Sequence, residues 1–272
     1  MTANRSWSAP ALALTLVIGI ALLAPAAEAD EAPTCLGMAA TMVGTEGDDV
    51  ITGTAGTDVI VGLGGRDLIK AGLGDDYVCG GTNPAGPGEF PDREELNGGP
   101  GNDHISGGDG HDEIRGDEGD DTLSADGYDT SLGLRGDVVY GGPGADVISG
   151  TEADDWLSGS IGNDHIDGSG GDDVMVMGMF GCSSVFGCGD DDVATGGAGN
   201  DRILGRFGND VLRGGAGDDH LRGMSGRDHL FGGPGADELR GDSGSDVARG
   251  GTGRDLCVSP RPASPGAHSC ER

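Results

Sequence analysis

The chain has 272 residues, of which 58 are glycine and 4% are aromatic, and it carries a formal net charge of −31. That combination argues against an ordinary globular core and leaves the bare chain near the disordered regime unless counter-ions neutralise it. It also argues against nucleic-acid binding, which needs a basic footprint.

Residues 1–29 read as a secretory signal peptide. Arg5 gives a charged start, Ala11 to Ala24 an apolar run, and Ala27-Glu28-Ala29 a small-x-small cleavage site before Asp30. The run falls short of the ~20 residues that cross a bilayer, so no membrane span is expected after signal removal, and no cysteine follows it to take a lipid. The expected location is secreted and extracellular. Six cysteines in an exported chain read as disulfides rather than metal thiolates.

Residues 30–43 form a short N-terminal cap, apolar from Cys35 to Val43 and expected to cover the open end of the first coil. From Gly44 to Val258 the chain runs in nine-residue units with Gly at positions 1 and 4, Asp at position 6 and an apolar residue at position 8. The first four units end at Cys79 and carry Asp49, Asp58, Asp67 and Asp76. Their outward residues Val50, Val59, Val61 and Leu68 either lie under the cap or form an exposed patch. Residues 80–97 are irregular: GGTNPAGPG has lost its Asp and its strand, and Glu94 then takes the Asp slot, with the register surviving. Three units follow with Asp103, Asp112 and Asp121. Residues 125–140 are irregular again, a seven-residue excursion followed by LGLRGDVVY, which keeps Asp137. Asp146, Asp155, Asp164 and Asp173 come next, with Ala153 replacing the position-4 glycine before Asp155.

The third irregular zone, 177–195, begins with one extra residue, Met177. It has Ser183 in an Asp slot, then the acidic unit with Asp192, and Cys182 and Cys188 six residues apart are expected to pair. The last block has seven in-phase units, from GGAGNDRIL at Gly196 to GGTGRDLCV, with Asp201, Asp210, Asp219, Asp228, Asp237, Asp246 and Asp255. Its position-8 residues are Ile203, Leu212, Leu221, Leu230, Leu239, Ala248 and Cys257. A proline-rich tail, 259–272, closes with Cys270, and a Cys257–Cys270 bridge would staple it over the last coil.

One unit states its own geometry. Glycines in positions 1 to 6 permit positive φ and close backbone approach, and positions 7 to 9 form a short strand whose period of two sends position 8 inward. Two units make one coil, so residue i stacks under i+18, and each edge of the stack gains one carboxylate per layer. Twenty of 23 slots carry Asp, giving about 11 coils and roughly 55 Å of all-β parallel roll. A column of carboxylates that close repels itself unless cations lie between layers. Calcium suits that place, being a hard ion that takes six to eight carboxylate and carbonyl oxygens. A local alternative is that Asp at position 6 only closes Asx-turns, a role that does not require glycine at positions 1 and 4.

The pattern G-G-x-G-x-D-x-U-x resembles the calcium-binding nonapeptide of the haemolysin-type, or repeats-in-toxin (RTX), proteins. The resemblance implies that the position-6 aspartates named above and turn carbonyls of successive coils hold several Ca2+ ions. It pairs Asp201 with Asp219, Asp219 with Asp237, Asp237 with Asp255, and on the other edge Asp210 with Asp228 and Asp228 with Asp246. Cys35 to Gly81 and the chain's ending resemble small stand-alone secreted bacterial proteins of this type, which implies a Cys35–Cys79 disulfide. The chain departs from most of the family in its N-terminal export signal. Only about 14 residues remain between that signal and the repeats, too few for a catalytic or pore-forming domain.

No His-Glu-x-x-His, Gly-x-Ser-x-Gly or phosphate-loop motif occurs, and Gly241-Asp242-Ser243-Gly244-Ser245 lies in phase inside a repeat. His104, His165, His220 and His229 occupy the outward position 7, and Arg213, Arg222, Arg240 and Arg249 the outward position 9. The expectation is a secreted, non-enzymatic calcium-binding roll with a structural, surface or interaction role. A protein or cell-surface partner would meet the outward residues Val138, Tyr140, Trp156, Val174, Val176 and Phe186. An enzyme would have to build its site in 80–97 or 125–140.

Overall fold

The nine-residue period folds into a parallel β-solenoid, and no helix occurs among the described residues. The computed structural model describes residues 32–81, 93–126, 136–178 and 190–258. The expected signal peptide, the Cys182–Cys188 pair, Phe186, Ser183 and the tail with Cys270 lie outside them. Strands alternate between two parallel sheets of eleven strands each. One sheet runs from β3 (Met42–Val43) to β23 (Val247–Gly253), the other from β4 (Val50–Thr52) to β24 (Leu256–Val258). Eleven rungs at a spacing of about 4.8 Å give a stack of roughly 50 Å.

Position 8 supplies the core. Ile60, Ile69, Val78, Leu96, Ile105 and their counterparts through Leu230 and Leu239 form a single buried file between the sheets. Met42 and Ile51 pack on it at one end, Ala248 and Cys257 at the other. Burying each such side chain contributes about 1.5–3 kcal/mol, so the core is a thin column whose contribution grows with every rung.

Register follows the eighteen-residue step wherever units are regular, as in Leu212 beside Leu230. It departs in three places. Ile69 pairs with Leu96 and Val78 with Ile105, steps of 27 residues. One whole nonapeptide is therefore left out of the ladder there, and Glu94 joins the edge of Asp67 rather than that of Asp76, where a strict count places it. Ile114 pairs with Val139 across the seven-residue excursion. Ile166 pairs with Ala194, ten residues beyond the repeat, so one nonapeptide and one further residue separate the rungs and Asp192 changes edge. The surplus is not Met177, which lies within β16 (Val174–Gly178) and is buried in the core. Leaving out one unit exchanges the two edges without breaking either sheet.

The cap is not a simple lid. β3 adds the first rung of one sheet, and Met42 ends the core file. Before it, β1 (Thr34–Cys35) and β2 (Met38–Ala39) form an antiparallel hairpin. The hairpin lies on the outer face of β5 (Val59–Leu63), where Cys35, Val59 and Val61 are buried with Tyr77 and Cys79 packed nearby. The Cys35–Cys79 disulfide is present, with Cα atoms 5.6 Å apart. The outward valines thus divide. Val59 and Val61 lie under the hairpin, while Val50 on the other sheet is 77% exposed. Cys257 is also disulfide-bonded.

Candidate metal centre

All twenty position-6 aspartates named above are among the described residues, and the turns gather them into two columns, one per edge. The columns are hydrogen-bonded ladders. The Asp201 N–H donates to Asp219 Oδ1 at 2.9 Å, the Asp219 N–H to Asp237 Oδ1 at 3.0 Å, and the Asp237 N–H to Asp255 Oδ1 at 3.3 Å. On the other edge Asp210 reaches Asp228 and Asp228 reaches Asp246 at 3.0 and 3.1 Å. The ladder crosses the irregular steps: Asp76 donates to Asp103, Asp112 to Asp137, Asp164 to Asp192 and Asp173 to Asp201. Only the end residues Asp49 and Asp255 are partly exposed; the others are buried.

Oδ1 is thereby used, and in at least ten of these aspartates Oδ2 is not. In Asp103, Asp121, Asp146, Asp164, Asp173, Asp201, Asp210, Asp219, Asp228 and Asp237 the buried Oδ2 has no hydrogen-bond partner among the described residues. Where it points explains the position-1 glycine. A Cβ built on Gly196 falls 2.1 Å from Asp201 Oδ2 and 2.4 Å from the Gly214 carbonyl oxygen. Gly232 faces Asp237 Oδ2 and the Gly250 carbonyl at 2.2 and 2.5 Å in the same way. Carboxylate and carbonyl oxygens of successive rungs therefore face one small space that any side chain at position 1 would fill.

Burial disfavours charge on these groups. It pushes Asp164, Asp173 and Asp192 up to about 8 and Asp121 and Asp228 to about 7, with neighbouring aspartates adding to the rise. Asp103, Asp146, Asp201, Asp210 and Asp219 rise to about 6 by burial first. Asp112 is raised by burial and then by its neighbour Glu94. Backbone N–H donation works against the rise without cancelling it.

Residues 39–69, 52–83, 91–127, 140–175, 186–221 and 222–257 match the RTX calcium-binding nonapeptide repeat. The chain belongs to that family. No curated protein matches it. The RTX match and the β-roll make it a calcium-binding structural repeat protein.

The turns fit the ion. Among the described residues no three His, Cys, Asp or Glu side chains converge on one point. The donors on offer are instead one carboxylate oxygen per turn with backbone carbonyls beside it, the oxygen mixture a hard cation takes. A buried, unpartnered anionic oxygen is costly, and a cation at that place offsets the cost.

Two features of these RTX turns go beyond the sequence expectation. Position 5 carries a second ladder of opposite polarity. Asp218 donates its N–H to Asn200 Oδ1 at 2.8 Å, and Ala236 donates to Asp218 Oδ1 at 2.7 Å. The recurrence of Asp or Asn at Asp48, Asp75, Asn102, Asp120 and Asp172 is the signal in the sequence. The second feature is a different kind of turn in three units, before Asp49, Asp58 and Asp155. There Oδ2 accepts the Thr45, Thr54 and Thr151 N–H groups at 2.5, 2.6 and 2.7 Å. In these three turns the position-6 carboxylate closes back on the residue four before it, a local contact distinct from an Asx-turn, which reaches two residues on.

Proposed function

We propose that the protein is secreted and folds on binding calcium outside the cell, acting by binding, without catalysis, as a structural, surface or interaction module. The observation that carries this reading is the two columns of buried aspartates, in at least ten of which, Asp201 and Asp219 among them, Oδ2 has no hydrogen-bond partner among the described residues. In low calcium these carboxylates oppose closure of the stack. In millimolar extracellular calcium, sites of sensor-to-extracellular affinity fill, and a site at a hundred times its Kd adds about 2.7 kcal/mol. The position-6 aspartates named above are the residues proposed to hold the ions. Calorimetric titration gives the stoichiometry, with far-UV circular dichroism followed in parallel. Strand signal that rises with calcium to a multi-site endpoint supports the reading. Heat without a conformational change sinks the folding half of it.

A second reading, partner binding through the outward face, has one specific support. Trp156 is 40% exposed and stands in register between Val138 and Val174. Val176, expected on the same face, is instead buried at 3%, between Ser158 and Leu204 in register. Cross-linking to cell-surface material that is lost in Trp156→Ala while calcium binding persists favours this second reading.

A further inference from the structure

The two kinds of turn differ in more than one hydrogen bond. In the glycine type, position 2 takes positive φ, as at Gly72 (+122°), Gly197 (+110°) and Gly215 (+115°), and so does position 4, as at Gly74 (+111°), Gly199 (+139°) and Gly217 (+140°). Thr45, Thr54 and Thr151 occupy position 2 in the exceptional turns, and none has positive φ. A β-branched residue is strongly disfavoured there, so the chain takes another path.

On that path the threonine does three things at once. Its N–H turns inward to the Asp Oδ2. Its hydroxyl lies 2.9 Å from Asp49 Oδ2, 2.9 Å from Asp58 Oδ2 and 3.1 Å from Asp155 Oδ2. Its Oγ1 also accepts the position-4 N–H of Gly47, Gly56 and Ala153 at 3.3, 3.2 and 3.1 Å. The turn closes on itself, and Oδ2, which has no hydrogen-bond partner among the described residues in glycine turns such as those of Asp201, Asp210 and Asp219, has two donors here. Position 4 is released too. Gly47 and Gly56 are not in positive φ, a Cβ on either meets nothing within 4 Å, and the third such turn carries Ala153 there. One substitution at position 2 thus explains both the satisfied carboxylate and the relaxed position 4.

We propose that threonine at position 2 replaces the ion. The turns of Asp49, Asp58 and Asp155 are metal-free, and the first turn on each edge of the roll is built to form without calcium. Thr45 and Thr54 open the two columns beside the Cys35–Cys79 disulfide and the buried Cys35, Val59 and Val61 cluster. That end is a preformed first layer on which the calcium-requiring rungs stack. The inference rests on the calcium-binding reading of the glycine turns and narrows it to them.

The test uses the full oxidised chain. Amide exchange is read in calcium and in EDTA, comparing Thr45 and Thr54 with Gly72, which lies in the same disulfide-closed loop but in a glycine turn. In EDTA the Thr45 and Thr54 amides are expected to exchange at least about tenfold more slowly than that of Gly72. Equal loss of protection at both kinds of turn overturns the proposal. The second arm counts bound calcium by elemental analysis in Thr54→Gly and, in case that chain misfolds, Thr151→Gly. Each is expected to gain about one ion over the parent by exposing an oxygen ligand, and an unchanged count in both overturns it. If glycine and threonine turns alike stay protected in EDTA, calcium-dependent folding is what fails, and the ion count still decides this proposal.

Discussion

Removing calcium and then lowering the pH should refold the protein. Burial holds Asp164, Asp173 and Asp192 at about 8, against 3.8 for the free side chain. At pH 7 the unfolded chain has released these protons and the metal-free roll has kept most of them. Each such residue changes stability by about 1.36 kcal/mol per pH unit across the interval. Between pH 4 and pH 7 that amounts to about 4 kcal/mol per residue, set against a typical total of 5–15 kcal/mol for a domain. Because the folded-state value lies above the unfolded one, the contribution is whole below pH 3.8 and is lost as pH rises through about 8. The assay is far-UV circular dichroism on chelated, desalted, oxidised protein titrated from pH 8 to pH 4. Strand signal should grow on acidification. In calcium the trend reverses, because the ion needs the ionised carboxylate. A stripped protein whose spectrum is flat across that range, or that loses strand in acid, refutes the electrostatic account.

Three further outcomes are expected from the geometry. Gly217→Ala places a Cβ 1.8 Å from the Gly199 carbonyl oxygen and should lower the thermal midpoint in calcium sharply, whereas Gly56→Ala, in the same slot of a threonine turn, should stay within about 0.5 kcal/mol of the parent in a denaturant melt. Met224→Gly relieves a non-glycine residue at φ +79° and should raise stability by up to about 1 kcal/mol in the same melt. Cys35→Ser with Cys79→Ser opens a loop of sequence separation 44, and chain entropy puts the loss near 4 kcal/mol, read as earlier melting at fixed calcium.

Much of the fold is legible in the sequence because the period is strict. Ile203, Leu212, Leu221 and Leu230 recur every nine residues, which fixes both the strand and its inward face, and the aspartate two residues earlier must then lie at an edge. The skipped units are harder to place. The 27-residue step from Val78 to Ile105 exceeds the usual one by a whole nonapeptide, so counting alone cannot distinguish a rung from a loop. The pairings of Ile69 with Leu96 and of Val78 with Ile105 show that the edges exchange. The fate of the outward valines is open in the sequence for a different reason. Val50 and Val59 sit in near-identical units, and which one is covered depends on where a disulfide folds the hairpin back. The threonine turns depend on the sign of a backbone dihedral, which a single Gly-to-Thr difference does not announce without coordinates. The position-5 ladder is visible as recurrent Asp and Asn but is overshadowed by the stricter column beside it.

The most direct measurement is small-angle X-ray scattering of the oxidised protein at pH 7.5, first stripped of calcium and then with calcium restored to millimolar. The account predicts an expanded chain that contracts on calcium addition to a rod about 50 Å long for eleven rungs. Identical scattering profiles in the two states would contradict it.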